Sequence, residues 1–197
     1  MTVALCCSAC GGSESGEDNA GARHCVPLAP AQGPVFEGDV LLVTPADVEA
    51  AQQYSEITGS LQVQATLEPM DVELPQLRRL GGELSADSTK LRRFAAPRLE
   101  SVGSHLWFYL NDLVEIDLRN LTTVGARVTI HRNLALRVLQ LDALVSAGDG
   151  GNLLLNRNLQ LPDCFLDVLD ERFNFVRTDA PACTCARSCG LIQADCP

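Results

Sequence analysis

A glycine followed by an apolar strand returns along this chain every 22 or 23 residues from residue 57, with a slightly longer last interval. The copies read ITGSLQVQ from Ile57, LGGELSAD from Leu80, VGSHLWFY from Val102, VGARVTIH from Val124 and, more loosely, GGNLLLNR from Gly150. The first strand residue falls at Leu61, Leu84, Leu106, Val128 and Leu153. A period of this length marks a solenoid, in which one unit cannot bury its apolar face alone and stacks on its neighbours.

Two apolar runs alternate within each copy. The first is a strand whose alternating side chains send Leu61 and Val63, Leu84 and Ala86, Leu106 and Phe108, Val128 and Ile130, and Leu153 and Leu155 inward. The second has apolar residues spaced three, two and three apart, as in Leu113, Ile116, Leu118 and Leu121. That spacing suits neither a long helix nor a long strand, but it suits a short second strand between bent corners. Each copy is therefore expected to form one coil of a parallel β-helix. Its crossovers are expected to be right-handed, as parallel connections are. Five residues after each anchor comes Thr66, Thr89, Asn111, Asn133 or Asn158, a column able to satisfy backbone groups freed at a corner.

A helix is expected at each end of about five leucine-rich coils. TPADVEAAQQY begins with Thr44 as cap, Pro45 in the first turn and Asp47 where a capping box places an acid. Its apolar face, Val48, Ala51 and Tyr54, would serve as a lid over the first coil. A closing helix is expected from Pro162, with Phe165, Val168, Leu169 and Phe173 at helical spacing and Cys164 placed to fasten it. The organisation is thus a leader remnant at 1–10, a Gly/Ser/Pro-rich acidic tether at 11–34, a mainly β solenoid at 35–176 and a Cys-rich tail at 177–197.

The net charge of −10 argues against nucleic acid, whose phosphates require a basic surface. It equally disfavours adhesion to an anionic membrane by charge alone. Membrane association is expected only through lipid. The segment CSACGG and the polar run SESGEDNAG resemble the lipobox and linker of bacterial lipoproteins, which implies lipidation at Cys10 and export. The segment departs from that pattern in having Cys7 where leucine is usual and no basic residues before it. A simple N-terminal tail with incidental cysteines is the alternative. Cys25, Cys164, Cys183, Cys185, Cys189 and Cys196 form an even set of disulfide candidates, although six cysteines allow fifteen pairings. The tail CTCARSCGLIQADC also permits a four-cysteine zinc site, but Cys-x-Cys is tighter than most zinc knuckles, so no metal is expected.

The run YSEITGSLQV, the returning L/V-G-x-L strands and the L-x-x-L-x-L spacers resemble the receptor L-domain family. Its members are leucine-rich right-handed β-helical modules of receptor ectodomains, fungal cell-wall proteins and bacterial surface proteins. The resemblance covers residues 38 to 172, and its ending, strand-Asn-x-x-Leu-Pro-x-Cys, is similar to bacterial members with a lipoprotein leader. It implies a non-enzymatic cell-surface module that binds a protein or glycan. The Cys-x-Cys tail has no counterpart in that pattern.

The outward positions of the first strands are the ones available for recognition. Trp107, Tyr109, Thr129, His131 and Leu154 form an aromatic-centred candidate ligand patch on an otherwise polar sheet. A terminal segment covering that patch is the alternative. A β-helix carbohydrate enzyme would need clustered carboxylates with a basic partner. Here Asp87 stands alone in the outward column, and Asp112, Glu115 and Asp117 lie on one coil. No catalytic residue, cofactor or metal is expected. A purely structural envelope protein remains the other non-enzymatic possibility.

Overall fold

The structure, a computed structural model, describes residues 33–64, 68–148, 153–161 and 173. All belong to one compact unit. They form a right-handed parallel β-solenoid of about five turns. Each full turn visits three sheets, one more than the two apolar runs suggest. The front sheet stacks Val40–Leu42, Leu61–Val63, Leu84–Asp87, Leu106–Tyr109, Val128–His131 and Leu153–Asn156. The flank sheet stacks Met70–Glu73, Leu91–Ala95, Glu115–Asp117 and Val138–Gln140. The rear sheet consists of two-residue strands, Val35–Phe36, Glu56–Ile57, Arg79–Leu80, Ser101–Val102, Thr123–Val124 and Ser146–Ala147.

Coils pair in parallel and hold their inward residues in columns. Leu61, Leu84, Leu106, Val128 and Leu153 are register partners in turn, as are Val72, Phe94, Ile116 and Leu139. The register shifts between Met70 and Asp71, where Arg92 is the extra residue on the following coil. The expected interior is confirmed, since Leu106, Phe108, Ile116, Leu118, Val128 and Ile130 are all fully buried. Volume is balanced locally: Phe108 lies beside Ala86 in register and packs on Phe94 with ring centroids 5.1 Å apart. A large side chain on one coil is met by a small one on the next, which keeps a thin core dense.

The first helix forms at Pro45–Ala51 with the expected capping box. The Asp47 carboxylate accepts from the Thr44 hydroxyl at 2.8 Å and from the backbone N–H groups of Thr44 and Val43. The Thr44 hydroxyl, followed by those two N–H groups, holds the Asp47 carboxyl below its ordinary range. Val48 and Ala51 are buried, and the helix covers the first coil from its flank side. It follows the first front strand and packs on Met70–Glu73, the first flank strand, so it stands in for the flank strand of the first turn. The closing helix expected from Pro162 lies outside the described residues, apart from Phe173, which is buried in the core. Cys10 and the six disulfide candidates, Cys25, Cys164, Cys183, Cys185, Cys189 and Cys196, also lie outside them.

The recurring glycine is explained at the corner between rear and front sheets. A Cβ on Gly103 would run into the carbonyl oxygen of Gly81, and one on Gly125 into that of Gly103, both well inside van der Waals contact. Successive coils meet there backbone on backbone, which only glycine allows.

The corner between front and flank sheets is built differently. Ser88, Leu110, Arg132 and Arg157 take left-handed φ values of 54 to 59°, which bends the chain. Each is followed by a buried member of the Thr/Asn column: Thr89, Asn111, Asn133 and Asn158. The Thr89 N–H and hydroxyl donate to Asn111 Oδ1 at 3.0 and 2.7 Å. The Asn111 N–H donates to Asn133 Oδ1 and the Asn133 N–H to Asn158 Oδ1, both at 3.1 Å. The side-chain amides of Asn111, Asn133 and Asn158 donate to the carbonyls of Ala86, Phe108 and Ile130. The ladder thus supplies the partners that the bend removes. Thr66, its first expected member, lies outside the described residues.

Candidate functional site

Charge is divided unevenly among the three faces. On the flank and rear sheets, outward acids and bases pair from coil to coil. Arg79 meets Glu56 at 2.6 Å, Arg93 bridges Glu73 and Glu115, and Arg78 pairs with Glu100. Asp117, buried although it lies on the outward row of the flank sheet, is bound by Arg119 through Nε at 2.9 Å and Nη2 at 2.6 Å. Glu56, Glu73, Glu100, Glu115 and Asp117 are thus each engaged by an arginine. Exposed pairs of this kind contribute at most about 1 kcal/mol each, and their main effect is to favour one register.

The front sheet is unlike the other two. One outward row runs Leu41, Gln62, Ser85, Trp107, Thr129 and Leu154, and the next runs Asp87, Tyr109, His131 and Asn156. These ten positions hold one carboxylate, one histidine and no Lys or Arg. The aromatic residues sit at the centre. Trp107 and Tyr109 lie on one strand with ring centroids 6.1 Å apart, and Tyr109 stacks on His131 of the next coil at 5.3 Å and 21°. Trp107, Tyr109, His131 and Leu154 are all partly exposed.

Thr129 requires a correction. It occupies the outward row as expected, yet it is 1% exposed and not available for contact. Its register partners are Trp107 on one side and Leu154 on the other, and both are much larger. Adjacent coils lie about 4.8 Å apart, so a short side chain between two bulky ones is shielded. Ser85, the neighbour of Trp107 on the other side, is buried for a related reason at 7%. Thr129 Oγ1 is left without a hydrogen-bond partner among the described residues, as is the buried Oδ1 of Asn156. The patch is accordingly an indole set between two small neighbours, flanked by a Tyr–His stack, with Leu154 at its edge.

No family model, curated protein or solved structure matches this chain. The site is therefore argued from its own geometry. No helix among the described residues is long and apolar enough to cross a membrane, and no group of three or more His, Cys, Asp or Glu among them could hold a metal. What the front sheet offers chemically is a flat, nearly uncharged surface with aromatic side chains, hydroxyl and amide groups and one imidazole.

Sequence alternation located this face and its members. It missed the sealing of Thr129, because alternation gives the direction of a side chain and not the size of its neighbours. It also missed the ion-pair columns of the other faces, whose partners are 20 to 23 residues apart in sequence.

Proposed function

We propose that this chain is a non-enzymatic surface module of the receptor L-domain type, binding a protein or glycan through the outward face of its front sheet. The observation that carries the reading is the uneven distribution of charge. In a chain of 15 basic and 25 acidic residues, the largest sheet presents an almost uncharged surface centred on Trp107, Tyr109 and His131. Loss of charge with enrichment in aromatic residues is the compositional mark of an interface centre. The parallel solenoid is the architecture the receptor L-domain resemblance implies. The lipoprotein-like leader supports export and anchoring through Cys10, with the domain held at the cell surface on its acidic tether.

The test pairs a Trp107→Ala variant with a glycan and protein array. Trp107 is partly exposed, so its truncation should lower stability by only about 1–2 kcal/mol. Binding to the ligand found on the array should fall at least about 30-fold, the loss of an interface anchor. A stability loss of about 3–5 kcal/mol would instead make Trp107 a core residue and withdraw the patch. Hydrolysis or elimination products from any arrayed polysaccharide would overturn the non-enzymatic reading. Palmitate labelling that is equal in wild type and Cys10→Ser would remove the anchor.

A further inference from the structure

The corner between front and flank sheets carries side chains that the front-face reading does not use. From the second coil on it consists of segments 88–90, 110–114, 132–137 and 157–161, which join front strands to flank strands or follow the last front strand, with Arg92 beside it as the bulged residue of the flank strand Leu91–Ala95. With the adjacent Arg92 they hold Lys90, Arg132, Arg137 and Arg157, a third of the chain's fifteen basic residues, against Asp112, while the same corner of the first coil adds Glu68. Asp87 borders the strip and accepts from the Ser88 hydroxyl at 2.7 Å. A chain of net charge −10 therefore has one edge of opposite sign.

The same edge is apolar. Leu110, Leu134 and Leu159 are 45, 54 and 53% exposed and Val114 is 37% exposed, half of the large exposed apolar side chains among the described residues. Asn111, Asn133 and Asn158 are hydrogen-bonded in a ladder, so the residues beside them are stacked neighbours. Three coil steps make a strip about 14 Å long.

Shape selects the occupant. The strip lies on a convex bend, marked by the left-handed residues Ser88, Leu110, Arg132 and Arg157. Side chains leaving a convex bend diverge. They cannot converge on a peptide or small ligand, but they can all reach one flat, soft surface. The strip has no aromatic side chain of the kind that anchors protein interfaces. Leucines among long cationic side chains suit the boundary of lipid headgroups and acyl chains, where Arg and Lys reach phosphates and leucines enter the apolar layer. We propose that this corner docks on an anionic phospholipid surface. The overall acidity, which disfavours such contact for the chain as a whole, does not describe this edge. The proposal depends neither on lipidation at Cys10 nor on the ligand of the front sheet.

The full chain, made by cell-free synthesis so that it carries no lipid, is sedimented with vesicles of phosphatidylcholine alone or mixed with phosphatidylglycerol. Binding is expected only to the mixed vesicles and should weaken as salt rises. The double variant Arg92→Gln/Arg137→Gln should bind about 30-fold more weakly, since each cation near an anionic surface contributes about fivefold. Leu134→Ser/Leu159→Ser should also weaken binding with its melting curve unchanged, while Arg127→Gln, near the glycine corner, and Trp107→Ala should bind as wild type does. Equal binding to both vesicle types, binding to neither, or wild-type binding by the Arg92/Arg137 variant would overturn the proposal. Binding of soluble polyglutamate, but not of vesicles, would reassign the corner to an acidic polypeptide.

Discussion

The two corners that flank the front sheet close similar bends by opposite means. At the rear-to-front corner the side chain is removed, and Gly81, Gly103 and Gly125 stack backbone on backbone. At the front-to-flank corner a side chain is added, and the Asn ladder fills the bend with hydrogen bonds. The difference decides where the molecule can vary. Where successive backbones touch, a new side chain has no room at the column. Where buried amides hold the bend, the residues beside them point outward. Leu110, Arg132 and Arg157 occupy such positions even though their left-handed φ favours glycine. One corner is structural throughout, while the other is structural inside and chemically free outside.

Substitutions at each corner would break or sharpen this contrast. The largest effect is expected for Gly103→Val, whose branched side chain would be driven against the carbonyl of Gly81. Because the obstacle is backbone, the coils must separate, and the loss should be at least about 3 kcal/mol. A shift in the urea midpoint worth less than about 1 kcal/mol would show that the glycine corner yields. Asn133→Ala comes next. It leaves the Phe108 carbonyl and the Asn111 N–H without their partners, a loss of about 2–4 kcal/mol. Little change in the melting curve would mean that water replaces the ladder. The smallest effect has the opposite sign: Leu110→Asn should stabilise by about 0.5–1 kcal/mol, because asparagine tolerates the left-handed region better than leucine. A lowered melting temperature would show that Leu110 is held by packing.

Much of this contrast was legible in the sequence, although its cause was not. Glycine and asparagine return with the period and the asparagine column reads as a corner, yet nothing in the repeat places the glycines at a corner of their own or says that Gly103 faces a carbonyl while Asn133 faces a gap in the ladder. The interior was legible because Leu106, Phe108, Ile116 and Leu118 keep their spacing whatever the outer residues are. The rear sheet was not, because a strand as short as Ser101–Val102 shows one apolar residue and so no alternation. The front patch was found but its depth was misjudged at Thr129, whose burial depends on residues 22 and 25 positions away. The basic strip escaped notice for the same reason. Lys90, Arg132 and Arg157 are far apart along the chain, and only the turn of the solenoid gathers them on one edge.

The helix in the first turn has a consequence for assembly. A stack of parallel strands is a template that can go on adding layers, from its own chain or from another copy, wherever an edge stays open. In the flank sheet that process meets the helix Pro45–Ala51, whose backbone hydrogen bonds are satisfied along its own axis and offer nothing to a further strand. The other two sheets end there on strands of three and two residues, Val40–Leu42 and Val35–Phe36, short enough to give an incoming strand little purchase. The helix therefore acts on growth as well as on burial, opposing end-on polymerisation at the terminus where the stack begins.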